Sequence, residues 1–174
     1  MRKQFFAYSK HAIEEVGLEL AKQVSIKGVP VIICLGTDKV LADSLGALVG
    51  SELVKMNLPT FVYGTLERTV TLNNIEYAVK FARAMHPTSP IWVVDASTSY
   101  NNRFGVITIT DKFNPFISID GQSDLQAELF ITATVSQARE RVLYGARLRE
   151  VVQIANVVSN SIEQAIINQA KFAY

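Results

Sequence analysis

Apolar positions along this chain switch repeatedly between two periods. Over residues 11–27 they recur every three or four positions, with Ile13, Val16, Leu20 and Val24 on one face, which predicts an amphipathic helix. Ser9 stands where a cap is expected, and Gly28 where the helix should stop. Residues 29–35 are a continuous apolar run, the pattern of a strand buried on both faces of a parallel sheet. Helical spacing returns over 43–56, strand character over 59–63, a third helix over 73–85 and a third strand over 91–94, closed by Asp95. Gly64-Thr65 stops the second strand, and Pro87 and Pro90 bracket the turn after the third helix. Residues 104–110 alternate and are β-branched, which predicts a strand suited to an antiparallel neighbour. Segment 113–124 has turn chemistry and no period. A last strand is predicted over 129–135, then helical spacing from 136 to 171 with a break near Gly145.

Strands alternating with helices argue for an α/β fold, a three-layer α/β/α sandwich with a mostly parallel mixed sheet. The 174 residues read as a single domain, without linker, repeat or low-complexity tract. In such sheets function collects at the carboxyl ends of parallel strands. Three strand ends carry polar signals: Gly36-Thr37-Asp38, Gly64-Thr65 and Asp95-Ala96-Ser97.

Composition narrows the function classes. Hydrophobic residues make up 49% and the net charge is +1, so there is no electrostatic case for nucleic acid or an anionic membrane surface. No run approaches the roughly 18 apolar residues of a membrane span. The stretch from Met1 to Tyr8 has a basic start, but its apolar part is too short for a signal peptide. The single cysteine, Cys34, rules out an internal disulfide and a cysteine-based zinc site. Within an apolar strand pattern it reads as a small buried hydrophobe, and a reducing cytoplasm fits.

The candidate chemistry is acidic. Asp43 opens a glycine-punctuated helix, where an aspartate can serve as a cap that accepts backbone N–H groups. Asp95 follows Ile91-Trp92-Val93-Val94, and a charge directly after a buried strand is costly without a partner or a task. If both face one crevice their charges repel, and one should hold its proton at neutral pH. Such a pair can polarise a water and protonate a leaving amine; alternatively both ionise and hold a metal. Thr37, Asp38, Thr65 and Ser97 surround the pair as the expected substrate-binding set, with Asp38 also suited to folding its own loop. A phosphate loop is excluded, because Gly36-Thr37-Asp38 is not G-x-G-x-x-G and acids at Asp38 and Asp43 would repel a pyrophosphate. Ser97 lies in no G-x-S-x-G, and the two histidines, His11 and His86, read as surface residues.

Several motifs stand in order along the chain: Cys34-Leu35-Gly36-Thr37-Asp38, Asp43-Ser44-Leu45-Gly46 with Val49-Gly50, Val62-Tyr63-Gly64-Thr65-Leu66 and Asn73. Val94-Asp95-Ala96-Ser97, Gly105, Ile131-Thr132 and Arg147-Leu148 follow. Together they resemble the YyaC family of spore-associated proteins, which is in turn similar to the spore germination protease and the hydrogenase maturation endopeptidases. The resemblance implies a phosphorylase/hydrolase-like fold, a sporulation setting, peptidase ancestry, and a catalytic pair at Asp43 and Asp95 acting on a peptide or protein substrate. The maturation endopeptidases hold a metal with acids at these two places plus a histidine. A family histidine preceding Ile-Thr of the last strand is Phe130 here, so the resemblance implies no metal, and no cofactor is expected.

Other departures bear on access. The family's Arg-Ser-Thr-Gly between the first acids is Lys39-Val40-Leu41-Ala42, a Gly-Pro is Gly46-Ala47, and Leu-Gly after the second acid is Thr98-Ser99. A glycine pair after the last strand is replaced by Ser136-Gln137-Ala138-Arg139. Two readings follow: a hydrolase with a paired-aspartate site, or a binding or scaffold protein that keeps the fold without turnover. The C-terminal segment carries more apolar residues than one stripe requires. Either it uses two faces within one chain, or the surplus around Val151, Ile154 and Val158 is buried in a homodimer.

Overall fold

The computed structural model describes residues 1–99, 104–111, 127–137 and 146–172. The elements follow the order β1 (Arg2–Phe6), α1 (Ala12–Lys27), β2 (Val31–Cys34), α2 (Leu45–Lys55), β3 (Val62–Tyr63) and α3 (Ile75–Met85). Then come β4 (Ile91–Ser99), β5 (Val106–Thr110), β6 (Leu129–Gln137) and α4 (Leu148–Phe172). One turn of 3₁₀ helix, Leu41–Asp43, precedes α2.

The six strands form one sheet in the order β1-β5-β6-β4-β2-β3. The pairs β2/β3, β2/β4 and β4/β6 run parallel, whereas β5 is antiparallel to both β1 and β6. The reason lies in the strand sequences. Val31–Cys34 is buried along its whole length because helices cover both faces of the parallel half. Val106–Thr110 alternates, with Ile107 and Ile109 buried and the residues between them partly exposed, as suits an antiparallel strand covered on one face.

Two cores flank the sheet and make the three layers. Trp92, Val94, Ile131 and Ala133 meet α1, α2 and α4 on one face. Val31, Ile33, Val93 and Phe130 meet Ile75, Val79 and Ala82 of α3 on the other. Glu128 ties this second layer together at the amino end of β4, taking the Ile91 N–H at 2.6 Å and pairing with Arg83 of α3. No helix among the described residues is long and apolar enough to cross a membrane.

Four elements differ from expectation, and the apolar surplus of the last helix falls to the within-chain alternative. Residues 2–6 form an edge strand, which its RKQFF sequence does not signal: four of the five residues are exposed, and pairing with β5 alone makes it a strand. The helix expected from Asp43 starts at Leu45, with Asp43 ending the 3₁₀ turn. The third strand does not stop at Asp95 but runs to Ser99, because β6 continues beside it. Ser136 and Gln137 belong to β6 rather than to the last helix, which begins at Leu148. Val151, Ile154 and Val158 are fully buried in the chain's own core, where α4 packs against α1 and α2, so the apolar surplus at these positions is taken up within the chain. Segment 113–124 and the break near Gly145 lie outside the described residues.

Candidate active site

At the carboxyl ends of β2 and β4 the chain leaves a cleft of about 380 Å³. It is lined by Leu35, Gly36, Thr37 and Asp43, by Thr71, Leu72 and Asn73, and by Asp95 to Thr98 of β4. Both acids singled out in the sequence therefore line one crevice, together with Thr37 and Ser97. Asp38 and Thr65 do not line it. Asp38 is exposed on the loop outside. Thr65 folds its own turn, its N–H donating to the Arg68 carbonyl at 3.0 Å and its Oγ1 accepting the Arg68 N–H at 3.1 Å.

The loop carrying Asp43 is folded by its backbone. The Gly36 N–H reaches the Val70 carbonyl at 2.8 Å, the Thr37 N–H reaches the Asp43 carbonyl at 3.0 Å, and the Asp43 N–H reaches Val40 at 2.9 Å. Thr37 Oγ1 accepts the Lys39 N–H at 3.3 Å. Ser44, at the cap position of α2, turns its hydroxyl back to the Leu41 carbonyl at 2.8 Å. The Asp43 carboxylate takes no hydrogen bond among the described residues. It is therefore not spent on capping.

Three glycines set how close this loop comes to the sheet. A Cβ on Gly46 would lie 2.0 Å from the Leu35 carbonyl oxygen, and one on Gly50 would lie 1.8 Å from that of Gly64. Gly64 in turn sits at φ +95° against Cys34, a conformation suited to glycine. The first turns of α2 are thus laid directly on the ends of β2 and β3, which brings Asp43 over the end of the sheet beside Asp95.

Asp95 follows the alternation of β4. Ile91 and Val93 belong to the α3-side core, so Asp95 projects to that side, paired in register with Thr132. Close surrounding protein strips water from its carboxyl and pushes its pKa up to about 8. The Ala96 N–H bonded to it opposes the shift, and the nearby Asp43 charge adds to it. Asp43 keeps an exposed edge, yet partial loss of water holds its carboxyl above the ordinary range as well. At neutral pH the pair therefore carries one acid that retains its proton.

Phe130 lies on the same face of the sheet as Asp95. It is in register with Val93, one alternation short of the acid, and is 1% exposed among Val31, Ile33, Leu35 and Val70. His86 is occupied elsewhere, with Nε2 2.9 Å from the Tyr63 hydroxyl and its ring against Phe61. His11 is exposed beside Glu14. Among the described residues no three His, Cys, Asp or Glu side chains gather as a metal site. Nickel and zinc favour nitrogen and sulfur donors, and two carboxylates alone do not fit them.

The site also contains residues that sequence reasoning did not assign to it. Thr71, Leu72 and Asn73 enter because Val70 bridges to Leu35 and carries the chain back to the end of the sheet. The Asn pair ahead of an amphipathic run was a local signal, since Asn74 Oδ1 accepts the Thr71 N–H at 2.7 Å and shapes this loop. Ala96 and Thr98 enter because β4 is longer than its apolar run.

The fold has solved counterparts. A [NiFe] hydrogenase maturation protease, HycI, from Thermococcus kodakarensis superposes with a TM-score of 0.50 at 14% identity, over 83% of this chain and 99% of that one. An uncharacterized protein from Wolinella succinogenes gives a TM-score of 0.47 at 17% identity, over 82% and 98%. The likeness to HycI shows that the two chains share an α/β architecture. Residues 4–161 match the family described as "Protein of unknown function (DUF1256)", and the chain belongs to that family. The uncharacterized protein YyaC of Bacillus subtilis is 31% identical over 137 residues, which span 76% of this chain and 67% of YyaC.

Proposed function

We propose that this protein is a peptidase-like hydrolase in which Asp43 and Asp95 form the catalytic pair. The observation that carries the reading is the unlike state of two acids in one cleft. Asp95 is held protonated at neutral pH by its surroundings, while Asp43 is more open to water and bound to no backbone donor among the described residues. In the reaction Asp43 takes a proton from a water, whose oxygen adds to the scissile carbonyl carbon. Asp95 supplies its proton to the departing amine as the C–N bond breaks. The two carboxyls have then exchanged roles, and one proton moved through solvent restores them. The fold it shares with a maturation protease supports a peptide or protein substrate.

A second reading, binding without turnover, is favoured by Phe130, whose ring fills the core beneath the acids where the resemblance placed a polar group. One experiment separates the two. Unfolded casein and a library of end-blocked peptides are incubated with the full chain, and the products are sequenced by mass spectrometry. The expected result is new peptide termini with the wild type, and at least about a hundredfold loss of turnover in Asp43→Asn without loss of folding, as removal of a positioned acid–base group implies. Absence of any product, or full turnover by Asp43→Asn, would overturn the catalytic reading.

A further inference from the structure

The cleft is walled on one side by a strand edge that pairs with no other strand among the described residues. Register between β2 and β4 ends at Cys34 with Val94, and the last rung is the Leu35 N–H on the Val94 carbonyl at 2.8 Å. The chain then turns away, the Gly36 N–H bonding to Val70 instead. β4 does not stop there. It runs to Ser99, held on its other side by β6. From Asp95 onward the edge that β2 occupied therefore faces the cleft. Successive residues of a strand direct their backbone groups to alternate sides, so Ala96, two beyond Val94, faces the vacated side. Its N–H is taken by the Asp95 carboxylate, and its carbonyl has no partner among the described residues.

The side chains along this edge leave the main chain accessible. Ala96 is small, and the Ser97 hydroxyl is drawn back to Thr134 Oγ1 at 3.2 Å. The same cleft is lined by Leu72, 41% exposed, and Asn73, which is exposed and forms no hydrogen bond among the described residues. Ala96 to Thr98 offer about 10 Å of strand at roughly 3.3 Å per residue. The acid pair lies at the start of this overhang.

We propose that the cleft takes its substrate as an extended peptide added to the sheet along β4, in the place β2 would fill if it were longer. The inference rests on the peptidase reading and names how that site recognises its substrate. Main-chain hydrogen bonds, beginning at the Ala96 carbonyl, hold the peptide, so recognition is largely indifferent to side chains. Leu72, in the lining of the same cleft, supplies one apolar contact. The added strand enters the acid pair with its backbone already aligned, which places a carbonyl rather than a side chain beside Asp43 and Asp95.

The test uses end-blocked octapeptides from a randomised library, with binding to the full chain read by fluorescence polarisation. The tightest binder is resynthesised with single backbone N-methyl groups walked along it. Each edge-facing amide so blocked should weaken binding about five- to tenfold, the worth of one hydrogen bond of about 1 kcal/mol, while intervening positions change little. Leu72→Arg should weaken binding by about tenfold at unchanged melting temperature. A flat N-methyl profile, wild-type binding by Leu72→Arg, or no binder in the library would overturn the proposal. Turnover of the same peptide by wild type separates the two claims. A peptide cut but without alternation sinks the added strand alone, and one that alternates but is never cut sinks the acid pair alone.

Discussion

Asp95 is the acid on which the proposed chemistry turns, and its titration has a consequence for stability. Its folded pKa of about 8 lies above the ordinary carboxyl value of about 4. The folded state thus binds this proton more tightly than the unfolded chain. The resulting stabilisation is full below about pH 4 and is lost as pH rises toward about 8, at roughly 1.4 kcal/mol per unit of separation. Asp95→Asn keeps an oxygen for the Ala96 N–H but removes the charge. Its melting temperature should therefore gain on wild type by several degrees between pH 5 and pH 9, read by calorimetry at unit steps. Parallel curves for the two proteins would show that Asp95 carries no such burden. Cys34 behaves oppositely as a functional candidate: fully enclosed, with its thiol pushed up by burial, it is a core atom and not a nucleophile.

At the scale of elements, the seating of α2 on the sheet decides where Asp43 goes. Gly50→Ala would drive a methyl group into the Gly64 carbonyl, a backbone atom that cannot rotate away. Gly17→Ala on α1 meets chiefly the end of the Gln164 side chain at 2.9 Å, which can move. The two substitutions have the same chemistry and should differ sharply. Gly50→Ala is expected to cost about 1–3 kcal/mol, as overpacking does, and Gly17→Ala close to nothing or a small gain from helix propensity. Urea midpoints of the two variants check this. Equal midpoints would mean that α2 is not held by the close contact at Gly50. A displaced α2 should also lower the pKa of Asp95, because Asp43 moves away with the helix.

On the scale of the whole molecule, α4 closes the larger core. Val151, Ile154, Val158 and Ile162 are fully buried, and the Ser161 hydroxyl reaches the Ile13 carbonyl of α1 at 3.2 Å. A truncation at Ile154 should therefore act within one chain. Ile154→Ala is expected to cost about 2–5 kcal/mol, the range for a large-to-small change in a packed core. Its unfolding midpoint should not depend on protein concentration. A midpoint that rises with concentration would show that a second copy takes part in the stability, and a cost below about 1 kcal/mol would show that Ile154 is not tightly packed.

Much of this was legible from residue order because it rests on local regularities. The helical period from Val16 to Val24, the apolar run of β2, the alternation of β5 and the acids after buried strands each constrain their own segment. What remained was decided by neighbours distant in sequence. Arg2–Phe6 becomes a strand only because β5 offers it an edge, and β4 continues past its apolar run only because β6 lies alongside. Thr65 was grouped with the site by strand-end logic, but its turn spends its hydroxyl on Arg68, whereas Leu72 and Asn73 arrive through the Leu35–Val70 bridge. Hydrophobic pattern records whether a residue is inside or outside, so it determined the α/β order and the two acids. Hydrogen-bonded edges and glycine contacts depend on which segments meet, so the shared cleft, the protonated Asp95 and the open edge of β4 came into being only with the tertiary structure.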